Sequence, residues 1–215
     1  MNMETLLSKA AGIDEALRLA NSLDQPVKKI RVFDFDDTLA KSNNKVFATK
    51  GDQTIEMNAE KFASDASDMI KDGWVMDFSD FNNVTDGKRG PLFEIAKTIR
   101  DSKGNEDLFV LTARGPESQQ AIYDFLKAEG LEFKKENIVG LGKSPGEAKA
   151  NWMIDKAAEG YNDFYFADDA YQNVKAVRDV MSVVDVKSKV QQAKFSKSKN
   201  ISSDFNKLIE ESTGI

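Results

Sequence analysis

The 215-residue chain contains no cysteine and no histidine. Without thiols there are no disulfides, no thiol nucleophile and no thiolate-bound zinc, which suits a reducing compartment. Without imidazole there is no Ser–His–Asp triad, no histidine metal ligand and no histidine proton shuttle. An enzyme made from this chain must work with carboxylates, hydroxyls, Lys and Arg, and a hard, oxygen-seeking cation is the metal to expect. No run of about eighteen apolar residues suggests a membrane span. The first ten residues also lack the continuous apolar stretch of a signal peptide, so the expected setting is cytoplasmic with no membrane partner. The formal net charge of -6 does not invite a polyanion such as duplex DNA, although a small phosphorylated molecule needs only a local positive pocket.

What is present is ordinary globular composition, with 40% hydrophobic and 31% charged residues, enough for one domain carrying an insert and tails. Residues 3–23 place Leu6, Leu7, Ala10, Leu17, Ala20 and Leu23 on one helical stripe, with Gly12 as a possible break and Pro26 as the stop. Residues 27–35 read as a strand buried on both faces. Residues 45–57 read as a hairpin turning at Lys50-Gly51-Asp52. Residues 58–72 read as a helix capped by Asn58, with Phe62, Ala66, Met69 and Ile70 facing inward. Residues 74–81 are aromatic-rich and fit a strand or a loop equally well.

From Pro91 onward helices are expected near 91–102, 116–129, 145–158 and 170–180. Strands are expected at 108–112, 138–141, 164–167 and 182–186. This alternation predicts an α/β fold, a Rossmann-like three-layer sandwich with a mainly parallel sheet and a small insert after the first strand. The organisation expected is an N-terminal helical extension over 1–26 and a core over 27–186 with its insert at about 40–90. Residues 187–215 are then a lysine-rich linker, carrying Lys187, Lys189, Lys194, Lys197 and Lys199, followed by a short helix over 202–211.

In open α/β sheets ligands sit beyond the carboxyl ends of the strands. Reactive residues gather at those ends here: Asp34 and Asp36 after the first strand, Thr112 and Arg114 after the next, Asp168 and Asp169 after a later one. Crowding so many carboxylates is costly unless a cation offsets them, and Mg2+ suits oxygen ligands and a bound phosphate.

These residues resemble the haloacid dehalogenase-like phosphatases in four motifs that span roughly residues 27–186. The motifs are Asp34-Phe35-Asp36-Asp37-Thr38; Thr112 in Phe109-Val110-Leu111-Thr112-Ala113-Arg114; a helical lysine; and Asp168-Asp169 with Asn173 beyond. Lys149 is the choice for the lysine, with Lys143 and Lys156 also near. The resemblance implies Asp34 as nucleophile, Asp36 as acid and base, Thr112 and Lys149 on the phosphate, and Arg114 as a second phosphate contact. It also implies Mg2+ on Asp34, the Asp36 carbonyl and Asp169, with Asp168 beside it. Asp37 departs from a position the family often fills with Gly, which favours a loop role. The residue 40–90 insert would then be a cap, with Trp74, Phe78 and Phe81 either lining substrate or, as favoured, forming the cap's own core.

A small phosphorylated substrate is the partner expected first. A nucleotide or polynucleotide end is the alternative, because the Leu-Thr-Ala-Arg and Asp-Asp forms are similar to the branch containing nucleic-acid 3′-phosphatases. The chain is also similar to haloacid dehalogenase-like domains of large tailed bacteriophages. A structural or binding module, a virion or assembly component docking a protein through its terminal segments in the host cytoplasm or the virion, is therefore a third expectation. Dehalogenation, known on the same fold, has no need of Asp36.

Overall fold

A computed structural model describes residues 1–21, 26–57, 59–142 and 146–194. Its centre is a five-stranded sheet in the order β10-β9-β1-β7-β8, every neighbouring pair parallel. The strands are β1 (Lys29–Phe33), β7 (Leu108–Thr112), β8 (Ile138–Gly140), β9 (Asp163–Asp168) and β10 (Lys187–Gln192). Helices cover both faces, as a parallel sheet with crossover connections requires. The α/β three-layer architecture read from the sequence is present.

Strand side chains alternate between the two cores. On one face Ile30, Val32, Phe109, Leu111, Phe164 and Phe166 pack with α1 (Met3–Asn21), α5 (Gly146–Ala158) and α6 (Tyr171–Val183). On the other face Phe33, Leu108, Val110, Tyr165 and Ala167 pack with α3 (Phe93–Lys103) and α4 (Gln119–Ala128). β7 and β9 are buried at every position, which is why their sequences read as continuous apolar runs.

The insert leaves the core through β2 (Ala40–Lys41) and returns through β6 (Lys88–Arg89), which pair antiparallel. Between them lie a three-stranded antiparallel sheet in the order β4-β3-β5, made of β3 (Val46–Lys50), β4 (Gln53–Met57) and β5 (Val75–Asp77), and helix α2 (Ala59–Lys71). The expected hairpin is there, with Lys50 opposite Gln53 and Gly51 at φ 59, a left-handed turn position that glycine takes without strain. Gly90 is needed at the junction, because a Cβ there would lie 2.4 Å from the Thr38 carbonyl oxygen. The insert has a small core of its own: Val46, Ala48 and Met57 with Trp74, Met76 and Phe81 against them.

Several expectations are corrected. Gly12 does not break α1, which runs unbroken through it. Val27 and Phe35 lie outside β1, with Val27 exposed. The 74–81 stretch divides into β5 and a 3-10 turn over Ser79–Asn82. Trp74 and Phe81 join the insert's core, whereas Phe78 is exposed. Ile70, expected inward, is 56% exposed.

The expected last strand at 182–186 is the end of α6 and a turn. The strand falls instead at Lys187–Gln192, inside the segment expected to be linker. There backbone pairing with β9 outweighs polar composition: Val190 packs on the core, Lys187 meets Asp163, and Lys189 lies over the Tyr165 ring. Leu23, Asn58, Lys143, Lys197, Lys199 and the helix expected over 202–211 lie outside the described residues. The side chains of Ala20 and Phe62 do as well. No helix among the described residues is long and apolar enough to cross a membrane.

Candidate active site

β1 occupies the middle of the sheet with β9 on one side and β7 on the other, so the three carboxyl ends that carry reactive residues are adjacent. The Asp34 N–H donates to the Ala167 carbonyl at 2.8 Å, extending the β1–β9 ladder by one step and fixing Asp34 beside Asp168. The chain then turns sharply. The N–H groups of Leu39 and Ala40 donate to the Phe35 carbonyl at 3.0 and 2.9 Å, and Asp37 sits at φ 55. That left-handed conformation explains why glycine is suitable there and why Asp, one of the few other residues to tolerate it, stands in its place.

Lys149 reaches the same point from α5. Gly146 allows that approach, since a Cβ there would come within 2.7 Å of the Gln172 carbonyl on α6. The Lys149 ammonium, 2% exposed, donates to Asp34 Oδ1 at 2.5 Å and to Asp168 Oδ2 at 2.6 Å. An ammonium has three donors, so one remains for a further acceptor. Lys156, about two helical turns further along α5, pairs with Glu159 at 2.7 Å and lies over the Phe109 and Trp152 rings instead of joining the site.

Asp168 is buried and its oxygens are well supplied. Oδ1 accepts from the Ala170 N–H at 2.9 Å and from Asn173 Nδ2 at 3.0 Å, while Oδ2 accepts from Lys149 and again from Asn173 at 3.0 Å. These contacts tie Asp168 to the Lys149 ammonium, to Asn173 and to the backbone that follows the strand. Asp169 is only partly covered. Carboxylate oxygens of Asp34, Asp168 and Asp169 come within 4.8 Å of one another.

Three carboxylates face one ammonium, and the electrostatics follow. Burial pushes the Asp34 carboxyl well above its ordinary value; Lys149 opposes this, but Asp168 and Asp36 add to it. Burial pushes Asp169 up to about 7, with Asp168 and Asp37 adding repulsion. Burial also raises Asp37, with Asp36 adding to it and Lys41 offsetting part. Burial works to lower Lys149, but Asp34 and Asp168 carry it above its usual value, so it stays an ammonium. The cluster therefore lacks positive charge, and its donors are all hard oxygens. A divalent cation fits both facts.

Two buried polar atoms have no hydrogen-bond partner among the described residues, Thr38 Oγ1 and Asn173 Oδ1. Thr38 belongs to the first motif and Asn173 holds Asp168, so both lie next to the reactive strand ends. A buried unpaired polar group costs about 1–3 kcal/mol, a cost that a bound ligand or water supplying the partner removes.

Thr112, 1% exposed, closes β7, and its hydroxyl accepts from the Arg114 N–H at 3.2 Å. The oxygen's hydrogen is left free to donate. Arg114 is placed differently from expectation. Its Nε and Nη2 donate to the two Asp36 oxygens at 2.8 and 2.7 Å, a bidentate pair. Nη1 donates to the carbonyls of Phe81 and Asn83 at 2.8 and 2.5 Å, and Nη2 also meets Ser42 Oγ and Asn44 Oδ1, each at 3.0 Å. No donor is spare for phosphate. Ser42, Asn44 and Asn83 carried no signal in the sequence, and Phe81 stood out only as an aromatic of the insert; no spacing links any of them to Arg114, and only the folded insert brings them together.

Comparisons with protein-family models, with curated proteins and with solved structures find no match to this chain.

Proposed function

We propose that the chain is a Mg2+-dependent phosphomonoester hydrolase of the haloacid dehalogenase-like type. The observation that carries this reading is the placement of Asp34. It is a buried carboxylate at the end of the central strand, one oxygen held by Lys149 at 2.5 Å, within a cluster of three carboxylates suited to a cation.

Phosphate-ester hydrolysis in water is among the slowest reactions enzymes address, so positioning and charge neutralisation must be large. Asp34, Asp169 and the Asp36 carbonyl would hold Mg2+. When bound, it offsets the carboxylates and the substrate's negative charge, leaving Asp34 ionised. Asp34 then attacks phosphorus as the ester P–O bond breaks, and Asp36 delivers a proton to the departing oxygen. Water next attacks the aspartyl phosphate, giving its proton to Asp36 and releasing inorganic phosphate and free Asp34. Lys149 holds Asp34 with two of its donors and offers the third to a phosphoryl oxygen, and the Thr112 hydroxyl donates to another. The insert acts as a cap that limits water and selects the substrate.

A second reading, a binding module that keeps the fold, draws on Asp36, both of whose oxygens accept from Arg114 as a structural pair would. Release of inorganic phosphate from a panel of phosphomonoesters, with Mg2+ and with chelator, beside Asp34→Asn, separates the two. Activity that requires Mg2+ and disappears in Asp34→Asn supports the hydrolase. A folded, Mg2+-binding protein with no activity above the variant supports the module.

A further inference from the structure

We propose that Arg114 is a positioning residue that ties the seating of the insert to the placement of the Asp36 carboxylate, an inference that rests on the phosphatase reading. The Arg114 side chain is 2% exposed and its guanidinium is gripped from both sides. The core side supplies the two Asp36 oxygens; the insert side supplies Ser42 Oγ, Asn44 Oδ1 and the carbonyls of Phe81 and Asn83. Its plane also lies over the rings of Phe35 and Phe81, at 5.1 and 5.0 Å. Asn44 is itself fixed, donating to the Asp80 carbonyl at 2.7 Å and to Thr85 Oγ1 at 3.1 Å. A chain of contacts therefore runs from the insert's 80–85 loop through Asn44 and Arg114 to Asp36.

Only arginine suits this point. Its planar fork fills two carboxylate oxygens and still has an edge for two carbonyls, whereas a lysine in its place offers one nitrogen for all of them. Apart from Arg114, the Asp36 carboxylate is met by the Ser42 hydroxyl alone among the described side chains, donating to Oδ1 at a long 3.4 Å; its backbone bridges to Ala40 and its side chain is about one-third exposed. Arg114 thus decides where the carboxyl group points. When Asp36 carries the proton bound for the leaving oxygen, one of its oxygens still accepts from Arg114 while the protonated one turns to the substrate. As the P–O bond breaks, that proton passes to the ester oxygen and both Asp36 oxygens return to the guanidinium. An insert seated wrongly would misplace Arg114 and, with it, the acid.

The dependence on the leaving group tests this. The alkoxide of an alkyl phosphate is a strongly basic leaving group and needs a proton; the 2,4-dinitrophenolate of 2,4-dinitrophenyl phosphate is a weakly basic one and does not. General-acid assistance is worth on the order of 10²–10⁴-fold where it is needed. Arg114→Lys is expected to lower kcat/KM on the alkyl ester at least about tenfold more than on the dinitrophenyl ester. Asn44→Ala, which does not touch Asp36, should move the ratio the same way. Thermal melting and Mg2+ binding verify the fold of each variant, and should Arg114→Lys not fold, Asn44→Ala carries the same comparison. Equal losses on the two esters overturn the proposal, because that is what general damage to the site produces. An unchanged ratio in Asn44→Ala overturns the link to the insert. A wild-type protein inactive on both esters instead overturns the phosphatase reading, and this inference with it.

Discussion

At the scale of single residues, one ammonium serves two buried carboxylates, and its removal has a definite consequence. Lys149→Met would leave Asp34 and Asp168 buried without their shared cation. Breaking a buried pair in this way costs about 3–5 kcal/mol, so urea denaturation should show the midpoint fall steeply. The raised carboxyls make a second prediction. A carboxyl whose value in the folded protein is raised stabilises the fold fully below its unfolded value and loses that contribution as pH rises through the folded one. For Asp169 that window runs from about 3.8 to about 7. The melting temperature of chelator-treated protein should accordingly fall between pH 5 and pH 8. A cation must displace the proton, so Mg2+ affinity should rise by up to about tenfold per pH unit below 7 and level off above it. Calorimetric titration at pH 6 and pH 8 reads this directly, and an affinity indifferent to pH would count against Asp169 as a ligand.

At the scale of elements, β10 holds more than its composition suggests. Ala193, just beyond it, is 4% exposed, and its N–H donates to the Asp168 carbonyl at 2.8 Å, tying this edge of the sheet to the strand end that carries the acidic pair. Hydrogen exchange should find the Ala193 amide protected, whereas a linker amide would exchange freely. Ala193→Leu, which overfills the site, should destabilise by about 1–3 kcal/mol and disturb Mg2+ binding. The sequence could not announce this strand. Lys187–Gln192 has a single apolar residue, Val190, and edge strands with one neighbour need little burial, so the apolar run that made β7 legible to the residue is missing. The reactive strand ends were legible because a buried strand makes its first polar residue conspicuous: Asp34, Thr112 and Asp168 each end an apolar run. Lys149 was legible only through the resemblance of the motifs. The Arg114 network was not legible at all, since its acceptors come from four places in the insert and two of them are backbone carbonyls.

At the scale of the whole molecule, the distribution of charge decides what size of substrate the site can favour. The chain carries a net charge of -6, and two cations that the described residues bring to the reactive strand ends are already engaged, Lys149 by two carboxylates and Arg114 by Asp36. On the described surface the lysines of β10 are drawn to Asp163 and Tyr165 rather than set out as a track. A protein that follows a nucleic-acid backbone gains affinity with each phosphate neutralised and loses it with salt. For about five phosphates on a single strand, tripling the salt would lower binding roughly fifty-fold. This chain should behave otherwise. Between a 3′-phosphorylated dinucleotide and a 3′-phosphorylated 20-mer, kcat/KM should differ by no more than about twofold, and tripling the salt should change neither by more than that. A 20-mer preferred tenfold or more, with that preference erased by salt, would require a basic path along the protein and would move the reading from a small phosphate ester to a polynucleotide end. Equal rates at both lengths would mean that the site reads the phosphate and its immediate leaving group, which is the outcome the proposed phosphomonoester reading of Asp34, Lys149 and Asp168 expects.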